Sequence, residues 1–81
     1  MDKMQLKVAS ANQTFFEGEA LAVSAQNKVG PFDILPRHEN FVSLIFGPIT
    51  VVDSAGAKHR MTCDHGIVEA SSNRVQVLVG I

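Results

Sequence analysis

Val29-Gly30-Pro31-Phe32-Asp33-Ile34-Leu35-Pro36-Arg37-His38-Glu39-Asn40-Phe41 is the stretch whose reading decides the fold. Pro31 and Pro36 each fix φ and remove a backbone donor, so neither fits the middle of a central strand. Gly30 admits backbone conformations that other residues resist. Between these breakers, Phe32, Ile34 and Leu35 are too apolar for a solvated loop. The segment therefore reads as a short inward-facing strand pinned by those three side chains. A corner follows at Pro36, then a polar tip of Arg37, His38, Glu39 and Asn40. So constrained a segment turns a corner, presents a contact surface, or does both.

On either side the apolar residues alternate with period two, the signature of half-buried strands. Met4, Leu6 and Val8 share one face, and Leu21, Val23 and Ala25 share another. Thr14-Phe15-Phe16 reads as a short strand ending near Gly18, and Gln26-Asn27-Lys28 as a polar turn. Beyond the tip, Phe41-Val42-Ser43-Leu44-Ile45-Phe46 is strongly apolar. Gly47-Pro48 interrupts it before Ile49-Thr50-Val51-Val52. Asp53-Ser54-Ala55-Gly56 has the chemistry of a hairpin turn. Residues 58–63 return from it with Met61 and Cys63 inward, Asp64-His65-Gly66 breaks the pattern, and residues 67–70 and 74–79 form a last hairpin around Ser71-Ser72-Asn73. No window shows three turns of helical periodicity. Eight or nine short strands with closely spaced turn signals predict an all-β fold, an antiparallel β-sandwich or barrel with little or no helix.

The 81 residues, with net charge −1, suffice for a single domain over 1–81. Near-neutral charge without a Lys/Arg cluster argues against nucleic acid as the main partner. One cysteine, Cys63, excludes an internal disulfide and suits a reducing compartment. The first residues lack the apolar core of a signal peptide. Residues 41–52 fall short of the roughly 18 uninterrupted apolar residues a membrane span needs, so no direct membrane insertion is expected.

Two clusters invite a chemical reading. Cys63, His65 and His59 share strand parity, but a closed zinc shell needs about four ligands and no second Cys/His pair exists. A cysteine nucleophile would need a base and an oxyanion hole that nothing supplies. Glu17 and Glu19 have the spacing of paired carboxylates, and solvated edge charges explain them as well. No glycine-rich phosphate loop is present. The residues alone thus lead to a β-sandwich interaction module, with no catalytic residue, metal or cofactor expected.

The organising stretch carries more. Gly30-Pro31-Phe32-Asp33-Ile34-Leu35-Pro36-Arg37-His38 resembles the signature of the ATP synthase epsilon subunit family (delta in mitochondria), which typically reads Gly-Glu-aromatic/aliphatic-Gly-Ile-Leu-Pro-x-His. Phe16-Glu17-Gly18-Glu19, then residues 41–49, then Gly66-Ile67-Val68-Glu69-Ala70 and Asn73-Arg74-Val75-Gln76-Val77-Leu78 resemble the family's other segments in order. The resemblance implies the family's N-terminal domain, an antiparallel β-sandwich of two roughly five-stranded sheets, a non-catalytic part of the central stalk that binds the gamma subunit and rests on the membrane rotor ring. It implies a peripheral location on the cytoplasmic face of a membrane. By position, Ser10, His38 and Ser43 would face gamma, with His38 leading. Gln26, Asn27, Lys28, Val29, Gly30, Pro31 and Asp33 would face the ring.

Pro31 stands where the family usually has glutamate, and Asp33 where it has glycine. Asp64-His65 stands where the family favours small residues. Family members normally continue into a C-terminal helical hairpin that brakes the enzyme and, in some bacteria, binds ATP. The sequence ends at Ile81, so the resemblance implies the sandwich without those functions. Two rival readings remain: a stand-alone sandwich that self-associates or binds another partner, and a small metal or thiol protein using Cys63, His65 and His59.

Overall fold

The computed structural model describes residues 2–37 and 39–80. His38, the leading expected contact, lies outside the described residues. Six strands follow one another: β1 (Met4–Ala9), β2 (Thr14–Asn27), β3 (Gly30–Ile34), β4 (Phe41–Asp53), β5 (Lys58–Ser71) and β6 (Arg74–Val79). Their order is β1-β6-β5-β4-β2-β3, and β1 also pairs with β2. Five strands thus close on themselves, with β3 attached along the far half of β2. The all-β expectation holds, but the strand count differs. Three long strands each serve both layers of the sandwich. One layer combines β1, β6, residues 14–20, 41–45 and 66–71; the other combines β3 with residues 20–27, 49–53 and 58–63.

Bulges make this double service workable, because a one-residue insertion flips every later side chain to the other face. In β2 the register shifts between Ala20 and Ala22. Ala20 is buried before the shift, and Val23 and Ala25 after it, so the inward parity changes from even to odd. In β5, Asp64 and His65 together lie opposite Phe46 of β4, with Cys63 paired to Gly47 and Gly66 to Ile45. Inward parity passes there from Met61 and Cys63 to Gly66, Val68 and Ala70. The expected breaks at Gly47-Pro48 and at Asp64-His65-Gly66 are therefore corners within continuous strands. Gly47 takes φ 82° at that corner. Pro48 pairs with Thr62 on one side only, since β2 joins β4 from Thr50 onward, so its missing N–H breaks no second ladder.

The core holds Met4, Leu6 and Val8 of β1 and Ile45, Ile49 and Val51 of β4, with Val68 and Ala70 of β5 and the inward valines of β6. Among the described residues no polar or charged side chain is buried in it. Five pairings are antiparallel, and β1–β6 is parallel. This departs from an all-antiparallel sheet. It joins the first and last strands, a contact far from local in sequence and so invisible to local patterning.

Candidate functional site

β3 is an edge strand, which is where Pro31 is tolerated. Phe32 and Ile34 point the same way, and Ile34 is buried. Phe32 packs edge-on against Phe41, with ring centroids 5.3 Å apart. Leu35 corrects the sequence reading. It is 56% exposed, because alternation after the inward Ile34 turns it outward. Of the three apolar side chains expected to pin the segment, Phe32 and Ile34 do so.

The turn joining β2 to β3 is built by Asn27. Its Oδ1 accepts hydrogen bonds from the amides of Val29 (2.9 Å) and Gly30 (3.3 Å), and its Nδ2 donates to Ser43 Oγ at 3.1 Å. Lys28, Val29 and Pro31 are exposed, Val29 at 90%. Gln26 and Gly30 are half-buried. Asp33 Oδ1 accepts from Ser24 Oγ at 2.7 Å, so the carboxylate that departs from the family pattern is held against β2.

Of the expected gamma-facing residues, Ser10 and Ser43 lie within the described residues. Ser10 lies beyond the C-terminal end of β1, where its amide donates to Gln13 O (2.8 Å) and its Oγ accepts from the Asn12 amide (3.4 Å). Arg37 lies past the other end of β1, its Nε 3.0 Å from Asp2 Oδ2. Ser43 is half-buried mid-way along the first half of β4.

Cys63, His65 and His59 are the candidate metal or thiol residues. Cys63 packs against the core, and burial pushes its thiol up, with Asp64 adding to the rise. His65 is exposed beside the bulge. His59 Nε2 lies 2.7 Å from Asp53 Oδ2, and its ring leans on Phe16 with centroids 5.2 Å apart. Among the described residues no three His, Cys, Asp or Glu side chains are grouped to hold a metal ion. Among the described residues no helix is long and apolar enough to cross a membrane.

A feature that sequence reasoning did not place among the sites lies on the outside of the five-stranded layer. Leu44, Ile67 and Leu78 are direct cross-strand neighbours and share a face. Val42 and Phe46 flank Leu44 along β4, with Leu44 72% exposed. Val42 begins the next row of the same face, which then turns polar through Glu69, Gln76, Lys7 and Glu17 and borders a concavity of about 530 Å³. The signal was present in the sequence: residues 41–46 carry apolar side chains on both faces, too many for a strand that is solvated on one side.

A β-sandwich with an apolar stripe on an outer face, beside a charged row, has the kind of surface that protein contacts use. Comparison with known proteins specifies it further. The family described as the ATP synthase delta/epsilon chain beta-sandwich domain matches residues 3–80, and the chain belongs to that family. The ATP synthase epsilon chain of Sulfurimonas denitrificans is 29% identical over 80 residues, covering 98% of this chain and 62% of that protein. The chain thus spans about three fifths of the length of that relative. A chain in the mitochondrial ATP synthase of Euglena gracilis, solved with OSCP and the c-ring, superposes with TM-score 0.89 at 16% identity, over 98% of this chain and 51% of that one. One in the central stalk/c-ring structure of the Tetrahymena thermophila mitochondrial ATP synthase gives 0.81 at 11% identity, over 99% of this chain and 65% of that one. At these identities the two superpositions establish the fold.

Proposed function

We propose that this chain is the β-sandwich module of a non-catalytic central-stalk subunit in an F-type ATP synthase, on the cytoplasmic face of the membrane. It binds the gamma subunit, rests its 26–33 turn on the membrane rotor ring, and passes torque as a rigid body. The observation that carries this reading is the family match over residues 3–80. The geometry agrees with it. A closed, densely packed sheet resists shear, and the outer stripe of Val42, Leu44, Phe46 and Leu78 offers a partner apolar area. Co-expression with a cognate gamma subunit, followed by size exclusion, tests it. A stoichiometric complex is expected, and a gamma subunit that elutes free of this chain rejects the reading.

The same exposed stripe favours a second reading, self-association of a stand-alone sandwich. Light scattering that finds a stable homodimer, together with no gamma complex, would select it.

A further inference from the structure

The turn between β5 and β6 consists of Ser72 at φ 53° and Asn73 at φ 60°. Two positive φ values in a two-residue hairpin loop define the tight turn that suits right-twisted strands, and asparagine is at home there. That accounts for the backbone of Asn73 and leaves its side chain unexplained. The side chain reaches two segments far away in sequence. Nδ2 donates to the Lys3 carbonyl at 2.8 Å, and Oδ1 accepts from the Arg37 amide at 2.9 Å. The Asn73 carbonyl also accepts from the Gln5 amide at 3.1 Å. One residue therefore ties the N-terminal segment, the last hairpin and the loop after β3.

Arg37 is the partner that most needs holding. Its φ is 63°, a conformation that disfavours a residue with a Cβ unless its surroundings impose it. The ion pair of Arg37 with Asp2 is largely exposed on both sides and supplies little restraint. The hydrogen bond to Asn73 Oδ1 comes instead from a turn fixed between two paired strands.

We propose that Asn73 is the positioning residue of the bend that follows β3. Its carboxamide sets the left-handed conformation at Arg37, and so fixes where Arg37 is presented to a partner. The identity of that partner rests on the stalk reading above; the positioning does not.

Asn73→Gly and Asn73→Asp test this. Glycine accepts the positive φ and keeps the turn while deleting the carboxamide. Aspartate keeps the acceptor for Arg37 and loses the donor to Lys3. In Asn73→Gly the unfolding midpoint should fall modestly, with one cooperative transition kept, while Arg37 amide exchange, followed by NMR, accelerates about tenfold or more. In Asn73→Asp, Arg37 stays protected. Binding of a purified gamma subunit should weaken about tenfold in the glycine variant and recover in the aspartate variant. Unchanged Arg37 exchange in Asn73→Gly overturns the proposal, as does lost protection with gamma affinity intact. A wild-type chain that binds no gamma rejects the stalk reading instead, and Arg37 exchange then decides the positioning.

Discussion

Asn27 Nδ2 donates to Ser43 Oγ at 3.1 Å, which joins a turn residue expected at the rotor ring to a strand residue expected at gamma. Ser43 Oγ in turn donates to the Leu44 carbonyl at 3.0 Å. The bond fastens the end of β2 to the first half of β4, where no ladder joins the two strands. Asn27 also closes its turn through two backbone amides, so it has more to lose than Ser43. Ser43→Ala should cost about 0.5–1.5 kcal/mol and Asn27→Ala about 1–2 kcal/mol. A double-mutant cycle in urea should return a coupling of about 0.5–1 kcal/mol. Strict additivity would show that the bond does not couple the two sites.

The β4–β5 hairpin carries an acid-sensitive latch. Asp53 is held below the usual carboxylate range, first by its hydrogen bond with His59, then by the Ala57 and Ala55 amides that donate to Oδ1 at 2.9 Å each. A carboxylate whose folded pKa lies below its unfolded value contributes stability that is complete above the unfolded value, about 4. That contribution is lost as pH falls through the folded value. The carboxamide of an Asp53→Asn variant would keep an acceptor for the two amides but could not ionise. The stability gap between wild type and Asp53→Asn should therefore be full above about pH 5 and close progressively as pH falls below about 4. Thermal melts across that range check it, and parallel curves would exclude the linkage.

Two glycines should respond very differently to alanine. A Cβ at Gly66 would sit 2.6 Å from the Leu78 carbonyl oxygen and 3.3 Å from Val79 Cα, both backbone atoms of the adjoining strand. Neither can retreat without opening the β5–β6 ladder, so Gly66→Ala should cost about 2–3 kcal/mol. A Cβ at Gly56 meets nothing within 4 Å, and only its φ of 87° opposes it. Gly56→Ala should cost about 1–2 kcal/mol. Urea midpoints of the two variants decide the order, and an equal or reversed loss would contradict the crowding at Gly66.

Much of this fold was legible because a strand with one buried face writes its period into the sequence. Met4, Leu6 and Val8 alternate without interruption and are all buried. The breaks were also legible but were misread, because Gly47 and Asp64-His65 mark bulges and a bulge looks locally like a strand end. The parallel β1–β6 pairing left no trace, since nothing in either strand's own pattern names its neighbour. Leu35 is apolar yet faces outward, because the alternation from the buried Ile34, and not its own hydropathy, sets its direction. The cross-link from Asn73 was hidden for a different reason: its partners, Lys3 and Arg37, are 70 and 36 residues away. A turn asparagine looks the same whether or not its side chain has distant work.

The outer stripe gives the most direct test of what the surface does. Leu44 is 72% exposed and faces away from the core, so Leu44→Lys should change folding stability by no more than about 0.5 kcal/mol. If a partner covers the stripe, the same change removes a leucine whose burial is worth about 1.5–3 kcal/mol and places a charge in an apolar contact. Affinity for gamma should then fall by roughly tenfold to a hundredfold or more. Gln76→Lys, on the polar row of the same face, supplies the control, since it adds the same charge outside the stripe. Titration calorimetry beside urea denaturation separates the outcomes. Binding lost in Leu44→Lys and kept in Gln76→Lys locates the contact on the β4 side of the layer. Equal losses in both would mean that charge, not apolar cover, governs the contact, and unchanged binding in both would move it off this face.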